Sequence, residues 1–228
     1  MNQLILPYQK NIKHTFENYY SDSNKIIVET IKNIFSDDNN QIYLWGSSKL
    51  GKSHILYASC NYFSDIKKKC VYLPLRDYKL FNADVLNGFE NYDLICIDDI
   101  DIIYGKPDWE YSFFNLHNKI LENSKKIIYT SSQSLTTEII SLKDLHSRLS
   151  MGLVFMINQS NDIIKENILK KIIIENEYNV SFDVCSYLLK YNQRKLSDLL
   201  EMLHKIGSYS LSTNKKVYVK TLSSFIDT

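Results

Sequence analysis

The chain has 228 residues, of which 44% are hydrophobic and 13% aromatic, enough for one large core or a domain with a small satellite. Lysine and arginine number 27 against 26 acids, a formal net charge of +1, and the short basic runs are scattered among acids; this argues against a strong sequence-independent grip on DNA, which needs a concentrated positive face. Four isolated cysteines (60, 70, 96 and 185) form no CxxC pair, which points to structural thiols in a reducing cytosol and away from a zinc site or a disulfide framework. No apolar run is long enough for a membrane span, and the N-terminus lacks the basic region and apolar core of a secretory signal.

In chain order, the first feature is QLILPY, residues 3 to 8. It is too short for a buried helix and is interrupted by a proline. The polar QKNIKHT then separates it from Phe16, so the hexapeptide reads as a tethered segment, with an edge strand as the alternative. Ile27, Ile31, Ile34 and Phe35 next mark an amphipathic helix. QIYLW (41 to 45) follows as a strand, and it is the first of five short apolar, β-branched runs. The others are CVYLPL (70 to 75), DLICID (93 to 98), KIIYTS (126 to 131) and LVFMI (153 to 157). Trp109, Phe113, Leu116 and Ile120 fall at helical spacing between the third and the fourth. Strands alternating with helical segments predict a parallel sheet with crossover helices.

Directly after QIYLW, residues 46 to 53 read GSSKLGKS and fit GxxxxGK[ST] at every fixed position, opening the helical stretch HILYASCNYF. Gly46 and Gly51 let the backbone turn tightly and aim N–H groups at phosphates. Lys52 supplies a charge to the β/γ oxygens, and Ser53 offers a hydroxyl to Mg²⁺. The second half of such a site is an acidic pair at the end of a later buried strand, and LICIDDI supplies it. Asp98 is the candidate to hold Mg²⁺ with Ser53, and Asp99 the candidate to orient or polarise the attacking water. An aspartate pair after a strand also serves as an ordinary turn; its coupling to the phosphate loop favours function.

After Ile157 the polar NQSND (158 to 162) reads as a linker, and the rest is helical: Ile164, Ile168 and Ile172 mark one helix, Val184 to Leu189 a second, and Leu196 to Ile206 a third. VYV (217 to 219) reads as a short strand. The expected organisation is an N-terminal segment 1–14, a nucleotide-binding domain 15–158 and a helical domain 159–228.

Taken together, GSSKLGKSHIL, LICIDDIDIIYG, IIYTSS and DLHSRLSMG resemble the AAA+ module of the bacterial replication initiator DnaA. The resemblance runs from Thr15 and Phe16 to the helix holding Arg194. It implies a P-loop AAA+ fold, an α/β five-stranded parallel sheet with flanking helices followed by a small helical lid. YLWGSSKLGKSH, WEYSFFNLHNKILE and QLILPY resemble more narrowly the Hda branch, the DnaA-related regulators that inactivate DnaA after initiation. By that resemblance Arg148 in HSRLSMG stands at the arginine-finger position, which reaches a neighbouring subunit's nucleotide, and Arg194 in NQRKLSDLL at the sensor 2 position.

The same resemblance implies ADP or ATP with Mg²⁺ as cofactors, DnaA as partner, and a bacterial cytoplasmic protein brought to the nucleoid by the DNA-loaded sliding clamp (the polymerase III β subunit), with DNA met mainly through the clamp. QLILPY would be the clamp-binding peptide, with Gln3 at the rim of the clamp's pocket, Leu4 and Leu6 as apolar anchors and Pro7 holding the peptide extended. TSSQSL replaces the family's TSDRPP, so a sensor 1 role spreads over Thr130 to Ser132 and intrinsic hydrolysis is expected to be weak. About 20 residues after the lid helix are too few for a helix-turn-helix domain, so sequence-specific origin binding is not expected. An autonomous ATPase or helicase loader is the alternative reading, and a compact DNA-binding module a third. The oligomeric state, a homo-oligomer included, is left open.

Overall fold

The computed structural model describes residues 14–19, 24–135, 139–158, 161–191 and 195–222. They divide into two compact units, one ending at Asn158 and the other formed by the residues that follow. The first contains α1 (Lys25–Lys32), β1 (Gln41–Trp45), α2 (Lys52–Asp65), β2 (Cys70–Pro74), β3 (Leu94–Asp98), α3 (Pro107–Glu122), β4 (Lys126–Ser131), α4 (Lys143–Ser150) and β5 (Leu153–Met156), with short 3₁₀ turns between β2 and β3 and between β3 and α3. The five strands form one sheet in the order β2-β3-β4-β1-β5, and every pairing is parallel.

Side-chain alternation explains how the sheet is covered. Ile42 and Leu44 of β1, Leu94 and Cys96 of β3 and Ile128 of β4 join Ile27 and Ile31 of α1 and Ile55, Leu56 and Phe63 of α2. Tyr43, Ile95, Ile97, Ile127 and Tyr129 point the other way and meet Trp109, Phe113, Leu116 and Ile120 of α3 and Leu145 and Leu149 of α4. Burial on both faces is what parallel crossover topology demands, and it is why these strands read as nearly continuous apolar runs. All carboxyl ends of the strands lie along one edge of the sheet, so whatever follows β1, β3 and β4 converges there. α4 is not predicted by periodicity, because only Leu145 and Leu149 of its eight residues are buried.

The second unit packs α5 (Asp162–Glu175), α6 (Asp183–Tyr191) and α7 (Leu196–Thr213) around Leu169, Val184, Leu188, Leu199 and Leu203. Asn161 caps α5 by accepting the Ile164 N–H at 2.8 Å. Residues 217 to 219 do not form the expected strand: Val217 makes a single parallel bridge to Val180, and the chain then enters a 3₁₀ turn at Val219–Thr221. A lone bridge ties the chain there without a ladder to extend it. Cys60, Cys96 and Cys185 are buried free thiols, and Cys70 is partly buried. Among the described residues no helix is long and apolar enough to cross a membrane.

Candidate functional site

β1 ends at Trp45 and the chain turns through Gly46 to Ser53 into α2. The Gly46 N–H donates to the Ser131 carbonyl at 3.2 Å, tying the loop to the end of β4. At Gly51 a side chain is barred twice: φ is +85°, and an added Cβ would stand 2.9 Å from the Tyr19 ring. α2 begins there with no side-chain cap, so its first-turn N–H groups present the positive end of a 14-residue helix. Lys52 is 6% exposed and folds back to donate to the carbonyls of Gly46 at 2.8 Å and Ser47 at 2.9 Å. Burial pulls its pKa down, against the negative charge of Asp99, Asp98 and Asp101. A buried ammonium that, among the described residues, is hydrogen-bonded only to carbonyls is short of a hydrogen-bonded anion.

The acidic pair lies two strands away. Asp98 closes β3 and is 3% exposed. The Tyr72 hydroxyl of β2 donates to its Oδ2 at 2.7 Å, and the Thr130 hydroxyl of β4 donates to its Oδ1. Asp99 sits in the left-handed region at φ 56°, gives its N–H to Thr130 Oγ1 at 3.0 Å, and pairs through Oδ2 with the Arg76 guanidinium. Thr130 therefore touches both acids. Ser132 turns to Asp101 with both its N–H, at 3.2 Å, and its hydroxyl. Of the sensor 1 stretch, Thr130 faces the acidic pair and Ser132 does not. Burial, then the charge of Asp98, pushes the Tyr72 phenol pKa up and keeps it a donor.

These residues fit a nucleotide with Mg²⁺. The uncapped helix start and the anion-poor Lys52 suit phosphates, while each Asp98 oxygen accepts one hydrogen bond and keeps a lone pair. Mg²⁺ held together with phosphates takes one or two protein oxygens, a need that Asp98 and the Ser53 hydroxyl could meet. No preformed cluster of three metal-ligating side chains exists among the described residues.

Arg148 lies elsewhere. It sits in the last turn of α4, and its carbonyl, with that of Leu149, is held by the side chain of Gln41, the first residue of β1. The phosphate loop leaves the other end of β1, about 13 Å away along the strand at ~3.3 Å per residue. The Arg148 guanidinium lies 6.0 Å from the centroid of the Phe114 ring, and Nη1 is 3.7 Å from Met151 Sδ. Among the described residues no carboxylate pairs with it. Arg194, Gln3, Leu4, Leu6 and Pro7 lie outside the described residues.

Tyr72, Arg76, Tyr19 and Gln41 were not foreseen from motifs. Tyr72 and Arg76 reach the acidic pair because β2 is the neighbour of β3, with Pro74 opposite Asp98. The signal that could have found them is polar or aromatic residues at the end of the strand preceding the acidic one.

Residues 10–156 match the family model of the bacterial DnaA ATPase domain. The chain is 26% identical over 227 residues to an uncharacterized protein of Haemophilus influenzae, covering 99% of this chain and 98% of that one. Domain III of the Thermotoga maritima replication initiation protein DnaA superposes with a TM-score of 0.82 at 20% identity, over 96% of this chain and 98% of that domain. AMPPCP-bound DnaA from Aquifex aeolicus superposes with a TM-score of 0.75 at 25% identity, over 86% of this chain, which spans 66% of that one.

Proposed function

The chain belongs to the bacterial DnaA ATPase-domain family, and from that premise we propose that it is a nucleotide-loaded negative regulator of replication initiation, which uses Arg148 to stimulate hydrolysis of ATP bound to DnaA. The observation that carries this reading is the separation of Arg148 from its own phosphate loop: it is anchored at the opposite end of β1 and carries no carboxylate partner among the described residues. A guanidinium so placed is offered to a neighbouring molecule. There it would stabilise charge on the transferring phosphoryl group, an effect of ~10³–10⁵ in rate where fingers operate.

The chain's own nucleotide, ADP in this reading, would be held by Gly46, Gly51 and Lys52, with Mg²⁺ on Ser53 and Asp98. Its bound charge would complete what Lys52 lacks. The chain's own turnover is slow in this reading, because Arg76 holds Asp99 and Ser132 is taken by Asp101. Arg194 is assigned to sensor 2, and Gln3, Leu4, Leu6 and Pro7 to the sliding clamp, which would raise the local concentration of Arg148 near DnaA. The test is hydrolysis of ATP preloaded on the cognate DnaA, with clamp loaded on DNA. The parent chain should accelerate it and Arg148→Ala should not, while both bind ADP equally. Stimulation by the variant at the parental rate would refute the reading.

The grouping of Lys52 with Asp98 and Asp99 also favours a second reading, an autonomous ATPase or helicase loader. Turnover by the isolated chain, without DnaA or clamp, would select it.

A further inference from the structure

The finger has a mount, and the mount is built from polar and aromatic groups that stability alone does not explain. Gln41 is 3% exposed, and its Nε2 donates to Leu149 O at 2.6 Å and to Arg148 O at 3.2 Å. Carbonyls in the last turn of a helix lack intrahelical partners, so this one amide caps the end of α4. Its own Oε1 is buried with no hydrogen-bond partner among the described residues. The next contact is as tight: at Gly152 an added Cβ would stand 2.6 Å from the Gln41 carbonyl oxygen, so the chain leaving α4 lies directly against the start of β1. On the other side Phe114 of α3 turns its ring toward the guanidinium. One turn on, His117 is 1% exposed, and neither ring nitrogen has a partner among the described residues.

Orphaned buried polar atoms are rare and costly, and each calls for an explanation. Three of them, Gln41 Oε1 and both nitrogens of His117, flank the short helix that carries Arg148. An apolar residue at position 41 would remove one orphan, but would leave the last-turn carbonyls of α4 without the amide that fixes them.

We propose that Gln41 and Phe114 are positioning residues for Arg148, Gln41 fixing the backbone from which the finger projects and Phe114 holding the guanidinium by its ring face. This rests on the trans-finger reading of Arg148. The division of labour is physical. Gln41 sets the origin of a long side chain, and the ring narrows the rotamers of a group whose only hydrogen-bond partner among the described residues is the Met151 thioether. Reactive geometry of this kind is sensitive to displacements of about 1 Å.

The experiment measures stimulated hydrolysis of ATP on cognate DnaA against concentration of the chain, with clamp on DNA, for the parent, Arg148→Ala, Phe114→Leu, Phe114→Tyr and Gln41→Met. Phe114→Leu should lower the maximal rate about fivefold with the half-saturating concentration unchanged. Phe114→Tyr should restore it, and Gln41→Met should lower the maximal rate in the same way. ADP-dependent thermal shifts, expected to match the parent, show that each variant is folded. If Arg148→Ala abolishes stimulation while Phe114→Leu and Gln41→Met keep the parental maximum, the mount is refuted and the finger stands. If Phe114→Leu instead raises the half-saturating concentration at full maximal rate, Phe114 is a contact surface and the proposal fails. Full activity of Arg148→Ala removes both readings.

Discussion

The charges of the loop and acidic pair at the carboxyl end of the sheet and that of Arg148 beyond its amino end are held differently. At the carboxyl end Lys52, Asp98 and Asp99 are buried, and each is hydrogen-bonded to a group of the chain itself: loop carbonyls, Tyr72, Thr130 and Arg76. At the amino end Arg148 is half-buried beside a ring and a sulfur, with its backbone clamped and no acid in contact among the described residues. Buried charges within the fold need hydrogen bonds from the chain itself. In the proposed reading Arg148 serves another molecule, and such a group needs a fixed base and a free head.

The largest effect on stability is expected from His117, at the amino end. Burial, reinforced by the charge of Arg148, pulls its pKa down to about 4. The unfolded chain binds a proton near pH 6.5 and the folded chain does not until about pH 4, so stability is full above that window and is lost as pH falls through it. The loss is roughly 3 kcal/mol by pH 4. His54, with its pKa also drawn down to about 4 by burial, acts in the same direction at the phosphate end. His117→Leu should therefore flatten, but not abolish, the fall in urea midpoint between pH 7 and pH 4.5. An unchanged pH profile would mean that His117 binds its proton equally in the folded and unfolded chain, and the contrast between the ends would lose its electrostatic basis.

Next comes the ligand itself. ADP at a hundred times its Kd should stabilise the parent by about 2.7 kcal/mol, and Lys52→Ala should lose most of that shift if, as proposed, the lysine is the charge complement to the phosphates. A melting temperature that rises equally in both proteins on adding ADP would remove the phosphate-loop assignment. Thr130→Val should cost about 2 kcal/mol without any ligand, since it strands the Asp99 N–H and one Asp98 oxygen in a buried setting. A neutral result in urea melts at pH 7 would show that the carboxyl end is not wired as described.

How much of this could be read beforehand follows the range of the signal. GSSKLGKS and LICIDD are local patterns, so Lys52, Asp98 and Asp99 could be proposed from them, and the five apolar runs predicted the strands to within a residue or two. Strand order was not legible, and with it went Tyr72 and Arg76, which reach the acids only because β2 lies beside β3. α4 escaped because two buried leucines make no periodic pattern. Arg148 was put forward by resemblance alone, and Gln41 was not put forward at all. Its partners are 107 and 108 residues away in sequence.

The smallest stability effect should belong to Arg148, and it tests the contrast most directly. Losing a half-exposed guanidinium from a ring face costs about 0.5 kcal/mol, and no carboxylate among the described residues is left unpaired by its removal. Its departure also removes one of the causes that depress the pKa of His117, so Arg148→Ala should soften the acid-side loss slightly while leaving the midpoint at pH 7 nearly unchanged. Measured in the same urea melts, a cost above about 2 kcal/mol would place Arg148 in the fold's own cohesion. Arg148 would then be a structural charge held by the fold, as Lys52, Asp98 and Asp99 are.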